Sequence, residues 1–211
     1  MNTQLQLMLQ QAIQAFQCGN FDSANLLLKR VLQVDSKNLP ALHVLGLIKA
    51  SQAHYREAAD FLGRAARINP NDASIQYNLA KALADSGSDK EALAHHKRAV
   101  ALAPNNPEAW LNYGKTASNL ARHEDSLVCY SHALSLKPDY HEAWVNKGNT
   151  LHELKRFDEA ITHYDQALSL KPDYHEASWN KSLSLLLQGD FENGLILYES
   201  RWGVNKVSEI I

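Results

Sequence analysis

A five-residue string returns on itself. Asp139-Tyr140-His141-Glu142-Ala143 reappears as Asp173-Tyr174-His175-Glu176-Ala177, an offset of 34 residues. The same offset separates Pro70, Pro104, Pro138 and Pro172. It also orders three rows of small residues: Gly46, Ala80, Gly114, Gly148; then Ala58, Ala92, Ser126, Ala160; then Ala65, Ala99, Ala133, Ala167. Independent rows at one period of this length are the signature of a stacked-repeat architecture, in which each unit is too small to bury its own apolar face and neighbours complete the core. Numbering back from the prolines gives six units: 5–38, 39–72, 73–106, 107–140, 141–174 and 175–208.

Each unit reads as two helices. In 141–174, Trp144, Val145, Gly148 and Leu151 recur at helical steps, which predicts a first helix from about Glu142 to Leu154. Lys155-Arg156 makes the turn, and Asp158-Glu159 favour the positive end of a second helix. Its buried stripe is Ile161, Tyr164, Ala167 and Leu168, and Pro172 stops it. Gly148 and Ala160 let the two helices approach, Ala167 does so between units, and Trp144 and Tyr164 fill the space that remains. Unit 73–106 departs, with Gln76 and His96 where large aromatics stand elsewhere, and reads as the softest joint.

These residues resemble the tetratricopeptide repeat family. The carriers are Trp110 and Trp144, Gly114 and Gly148, Tyr130 and Tyr164, and the closing prolines. The resemblance implies an all-α fold, an α-solenoid forming a right-handed superhelix of about six helix-turn-helix repeats, with residues 1–211 as a single domain. It also implies a concave groove lined by the first helices, and a non-enzymatic scaffold for protein–protein interaction that holds an extended peptide or a partner helix there.

Within that frame the candidate groove residues are Asn78, Asn112, Asn146 and Asn180, again at the repeat spacing. Asparagine carries donors and acceptors together, which suits it to pairing with the backbone of an extended peptide. Lys81, Lys115 and Asn149 stand one turn on, and Tyr77 and Trp179 just before. The alternative use of the asparagines is to hold one unit on the next. Glu108, Glu142 and Glu176 complement helix N-termini. With Glu and Asn at these groove positions, the chain departs from tetratricopeptide domains that clamp acidic chaperone tails with Lys and Arg.

The end of the chain, Gly189 to Trp202, is similar to the closing unit of bacterial tetratricopeptide arrays that precede a glycosyltransferase domain, and the asparagine row resembles that of protein O-GlcNAc transferase. The rival reading is therefore an acceptor-recruiting arm of such an enzyme, with the catalytic domain absent from these residues. Leu195, Tyr198 and Trp202 are apolar for an exposed end, and they mark a C-terminal docking edge for a following domain or for a second copy in a homo-oligomer.

Composition narrows the partners. Net charge is −2 with His neutral, so no basic footprint points to nucleic acid. No apolar run reaches the ~18 residues of a membrane span, and the start lacks the basic and apolar regions of a secretory signal. The expected compartment is the cytoplasm, where Cys18 and Cys129 are free thiols. The ten histidines are scattered without His-Glu-x-x-His or Cys-x-x-Cys spacing, and no nucleophile-elbow or phosphate-loop motif occurs. No metal, cofactor or catalytic residue is expected.

Overall fold

The computed structural model describes residues 3–198. It contains α1 (Thr3–Gln17), α2 (Phe21–Val34), α3 (Leu39–Ser51), α4 (Tyr55–Ile68), α5 (Ala73–Asp85), α6 (Asp89–Leu102), α7 (Pro107–Asn119), α8 (His123–Leu136), α9 (His141–Glu153), α10 (Phe157–Leu170), α11 (His175–Gln188) and α12 (Phe191–Tyr198). From α3 onward the helix starts keep the 34-residue period: 39, 73, 107, 141 and 175 for first helices, and 55, 89, 123, 157 and 191 for second helices. Among the described residues there is no strand, and no helix is long and apolar enough to cross a membrane. The chain divides into two compact units, Met1–Pro104 and Asn105–Ile211.

Local chemistry sets the boundaries. At each hairpin turn one residue lies in the left-handed region: Gly19 (φ 74°), Ala53 (59°), Gly87 (83°), Ala121 (55°), Lys155 (60°) and Gly189 (87°). All six share one position of the repeat. The turn demands that conformation whether or not glycine supplies it, and a side chain there is strained. Lys155 is thus the turn residue, as its place before Arg156 implied.

First helices begin on side-chain caps where the sequence allows. Asn38 accepts from Ala41 N at 3.2 Å, Asp72 from Ser74 N and Ile75 N at 2.9 and 3.1 Å, and Asn106 from Glu108 N and Ala109 N at 3.0 and 3.2 Å. At the same position of α9 and α11 stand Tyr140 and Tyr174, which make no side-chain cap. There the ring is used instead: Lys137 Nζ lies 4.6 Å over Tyr140 and Lys171 Nζ 4.9 Å over Tyr174.

In the first unit the core is Leu28, Val31, Leu42, Leu45, Leu62, Ile75 and Leu79 with the alanines between them; in the second it is Leu111, Tyr130, Val145, Leu151 and Tyr164. The small rows act as the spacing implied. A Cβ on Gly46 would lie 2.5 Å from Leu62 Cγ, one on Gly114 2.5 Å from Tyr130 Cε1, and one on Gly148 2.6 Å from Tyr164 Cε1. Ala58, Ala65, Ala160 and Ala167 are fully buried. Ile161 and Leu168, expected in the buried stripe of α10, are only half-buried. The stripe is narrower because Tyr164 and Ala160 fill most of the contact with α9.

Within each unit, the first helices of successive hairpins touch one another (α1, α3 and α5; α7, α9 and α11), whereas the second helices do not. Each second helix packs instead on the next first helix within its unit. Each stack is therefore tighter on its first-helix side.

Candidate functional site

The candidate residues fall on this tighter side. In the first unit, Tyr77, Asn78 and Lys81 stand on α5. Asn78 Nδ2 lies 3.2 Å from His43 Nε2 on α3 and 3.3 Å from Ser74 Oγ. Burial pushes the His43 pKa down, so the ring is neutral near pH 7 and its Nε2 accepts the amide proton. Lys81 pairs with Asp85 one turn along at 2.9 Å, and this contact raises its pKa. Tyr77 is half-buried beside them.

In the second unit, Asn112 and Lys115 stand on α7, Asn146 and Asn149 on α9, and Trp179 and Asn180 on α11. Asn180 Nδ2 donates to Asn149 Oδ1 at 2.8 Å, and the same oxygen accepts Tyr164 OH at 2.9 Å. Asn149 thereby ties α9, α10 and α11 together. Lys115 Nζ reaches Glu142 Oε1 at 3.2 Å, joining α7 to α9. Both side chains are well exposed, so the pair adds little stability. Asn146 is half-buried, and its amide makes no hydrogen bond among the described residues.

The asparagine row therefore splits. Asn78 and Asn180 use their amide nitrogens to reach the preceding first helix, while Asn146 presents its amide to the surface. The stacking partner His43 was missed at the level of sequence, although it lies one period before Tyr77 and the signal was present. Asn149 as a three-helix junction had no such signal, because Lys81 and Lys115 hold its place elsewhere.

At the C-terminal edge, Leu195 is 57% exposed, with Leu187, Phe191 and Ile196 exposed near it. The Tyr198 ring lies 4.7 Å from that of Trp179, tilted 44° to it, so it is partly engaged within the last hairpin. Trp202 lies outside the described residues.

Cys18 is an exposed free thiol, and Cys129 a buried one whose pKa burial pushes up to about 12. Among the described residues no group of three or more His, Cys, Asp or Glu is placed to hold a metal ion.

Tandem helical hairpins, with first helices in contact and a small-residue seam inside each hairpin, define the class: an all-α solenoid of two-helix repeats. Family models of the tetratricopeptide repeat match residues 73–116, 107–140 and 141–174. The chain is a tetratricopeptide-repeat protein. Among solved structures it is similar to YrrB, described as a TPR protein with an unusual peptide-binding site, with a TM-score of 0.77 at 24% identity over 81% of this chain and 88% of that one. It is likewise similar to MamA protein, with a TM-score of 0.77 at 22% identity over 82% of this chain and 94% of that one. A second MamA structure gives a TM-score of 0.70 at 20% identity over 75% and 92% of the two chains. At these identities the likeness is one of fold. No curated protein matches.

Proposed function

We propose that this chain is a non-enzymatic interaction scaffold that holds an extended peptide along the first-helix face of its second unit. The observation that carries the reading is Asn146. Its amide is accessible, offers donor and acceptor together, and is left open while Asn180 in the same row is committed to stacking. Lys115 and Trp179 stand on the neighbouring first helices α7 and α11, with Lys115 paired to Glu142 and the Trp179 ring against Tyr198. The solved relative YrrB, titled for its peptide-binding site, is consistent with such a use. The glycosyltransferase-arm reading finds no support in these comparisons.

A random-peptide display library selected against the full chain tests this. Selected peptides should lose at least about tenfold in affinity for Asn146→Ala, a loss equivalent to one good polar contact, with melting temperature unchanged. Asn180→Ala should instead lower the melting temperature. Failure to enrich any peptide, or peptides indifferent to the triple change of Asn112, Asn146 and Asn180 to Ala, would overturn the proposal.

A further inference from the structure

In the first unit, the loop between α2 and α3 and the last turns of α4 enclose a cleft of about 600 Å3, lined by Ser36, Lys37, Leu42, Arg64, Arg67 and Ile68. None of the asparagine-row residues lines it. Three of the six are cations and none is an acid. Leu42 is fully buried behind it, and Ile68, 41% exposed, leaves an apolar wall open to solvent.

The cations are not equally explained by the fold. Arg64 Nη2 donates to Ser36 O at 3.2 Å. One repeat on, Arg98 Nη2 makes the matching brace to Asn71 Oδ1 at 3.0 Å. Bracing the inter-hairpin loop therefore accounts for Arg64. It does not account for Lys37 and Arg67, whose charged ends have no counter-ion among the described residues. Asp35, beside Lys37 in sequence, turns its carboxylate to Lys37 N at 3.2 Å and Asn38 Nδ2 at 3.1 Å. Asp60 stands 3.9 Å from Arg64 Nη1, at the limit of an ion pair. The carbonyl end of α4 contributes about half a negative charge against three full positive ones.

The repeat supplies a control. The positions of Lys37, Arg64 and Arg67 are held by Asn71, Arg98 and Ala101 in the next junction, and by Asp139, Gln166 and Ser169 two further on. Neither scaffold nor stacking asks for cations at the positions of Lys37 and Arg67. Of the three junctions compared, 36–68 concentrates the cations, beside an apolar wall.

We propose that this cleft docks an acidic peptide segment, with a carboxylate side chain held between Lys37 and Arg67 and a neighbouring aliphatic side chain resting on Ile68. Guanidinium and ammonium groups supply charge-assisted donors to the carboxylate. The apolar wall selects a segment with aliphatic side chains over a sugar–phosphate backbone, which would leave Ile68 against polar atoms. This surface is separate from the first-helix face, and its occupancy does not depend on whether a peptide binds there.

The test is fluorescence anisotropy of the full chain with a labelled peptide alternating Glu and Leu. Its Gln–Leu counterpart and a thymidine oligonucleotide of equal charge serve as controls. The Glu–Leu peptide should bind at least about tenfold more tightly than the Gln–Leu peptide, the scale of one charge-assisted contact. Affinity should fall as salt rises from about 50 to about 300 mM, because the contacting charges are partly exposed. Lys37→Gln with Arg67→Gln should cost about tenfold or more, and Asn146→Ala should leave binding unchanged. Should the double variant melt early, Lys37→Gln alone, on an exposed loop, reads the same contact. Absence of binding, equal affinity for the Gln–Leu peptide, indifference to the substitutions, or equally tight oligonucleotide binding would each overturn the proposal.

Discussion

The hairpin α5–α6 and the hairpin α9–α10 solve one packing problem in two ways. In α9–α10, Gly148 gives up its side chain so that the Tyr164 ring can lie against the α9 backbone. The Trp144 indole donates to the carbonyl of Pro138 at 2.9 Å. In α5–α6 the glycine position carries Ala80, and the tyrosine position carries the smaller His96; both are buried. The tryptophan position carries Gln76, whose Nε2 donates to the carbonyl of Pro70 at 2.9 Å, the same bond two prolines earlier in the repeat series. Its Oε1 also accepts His95 Nδ1–H at 2.7 Å. Volume is conserved across the pair and the donor is conserved at the carbonyl, though neither residue type is. What the repeat preserves is a sum of sizes and a hydrogen bond. The expectation of a soft joint at 73–106 was drawn from missing aromatics; in the structure Ala80 takes up part of the space His96 leaves.

The largest effect should come from breaking the match on one side only. Gly148→Ala would place a methyl 2.6–3.0 Å from three atoms of the Tyr164 ring, which is held on its other faces. The expected cost is near the upper end of the ~1–3 kcal/mol typical of overpacking. Adding Tyr164→His, which copies α5–α6, should recover part of it, giving a coupling of about 1 kcal/mol or more in a urea-denaturation cycle. Purely additive losses would mean that the two positions are not exchanging volume. The converse, His96→Tyr rescued by Ala80→Gly, probes the same trade in the other hairpin.

Acid should separate the hairpins next. Burial, with a smaller contribution from His95 beside it, lowers the His96 pKa from 6.5 to about 4. Between those values the unfolded chain binds the proton and the folded chain does not, so folding weakens as pH falls from about 6.5 through 4. The expected loss between pH 8 and pH 5 is about 2 kcal/mol from this group. His43 and His95, also lowered by burial in the same unit, act in the same direction. In α9–α10, His163 is lowered too, but Tyr164 stays neutral throughout this range, its pKa raised by burial. Hydrogen exchange at pH 5 should open α5–α6 before α9–α10, and His96→Phe should flatten the pH dependence. An equal response of the two hairpins would refute the assignment.

Smaller still is the shared bond to the proline carbonyl. Trp144→Phe removes one donor and should cost about 1 kcal/mol. Gln76→Met removes two bonds, strands His95 Nδ1–H, and should cost somewhat more by thermal melting. Smallest is the turn. Ala121→Gly and Lys155→Gly relieve a left-handed side chain and should stabilise by under about 1 kcal/mol each, whereas Gly87→Ala should destabilise by a similar amount. A loss of stability in Lys155→Gly would show that its side chain does more than make the turn.

The helices and their hairpin pairing were legible because one period runs through prolines, small residues and aromatics alike. The predicted first helix of unit 141–174 falls within one residue of the observed one. The left-handed turn position was only half legible. Its row reads Gly19, Ala53, Gly87, Ala121, Lys155, Gly189, and a backbone demand need not be met by glycine every time. Candidate site residues were harder, since a row of identical asparagines does not say which amides are engaged. Asn78 and Asn180 are committed to His43 and Asn149 because those particular neighbours lie within reach, a fact of the packing and not of the period. The cationic cleft was invisible to a search by repetition because Lys37 and Arg67 do not repeat.

Periodicity alone, then, dictated that the chain folds as tandem two-helix repeats: each unit's apolar stripe is too small to bury itself, and recurring small residues allow only close pairing. Tertiary structure alone decided how Ala80 and His96 replace glycine and tyrosine, which asparagines are left without a stacking partner, and where the non-repeating Lys37 and Arg67 meet Arg64. Those outcomes depend on distances between side chains far apart in sequence, set when neighbouring hairpins close on one another.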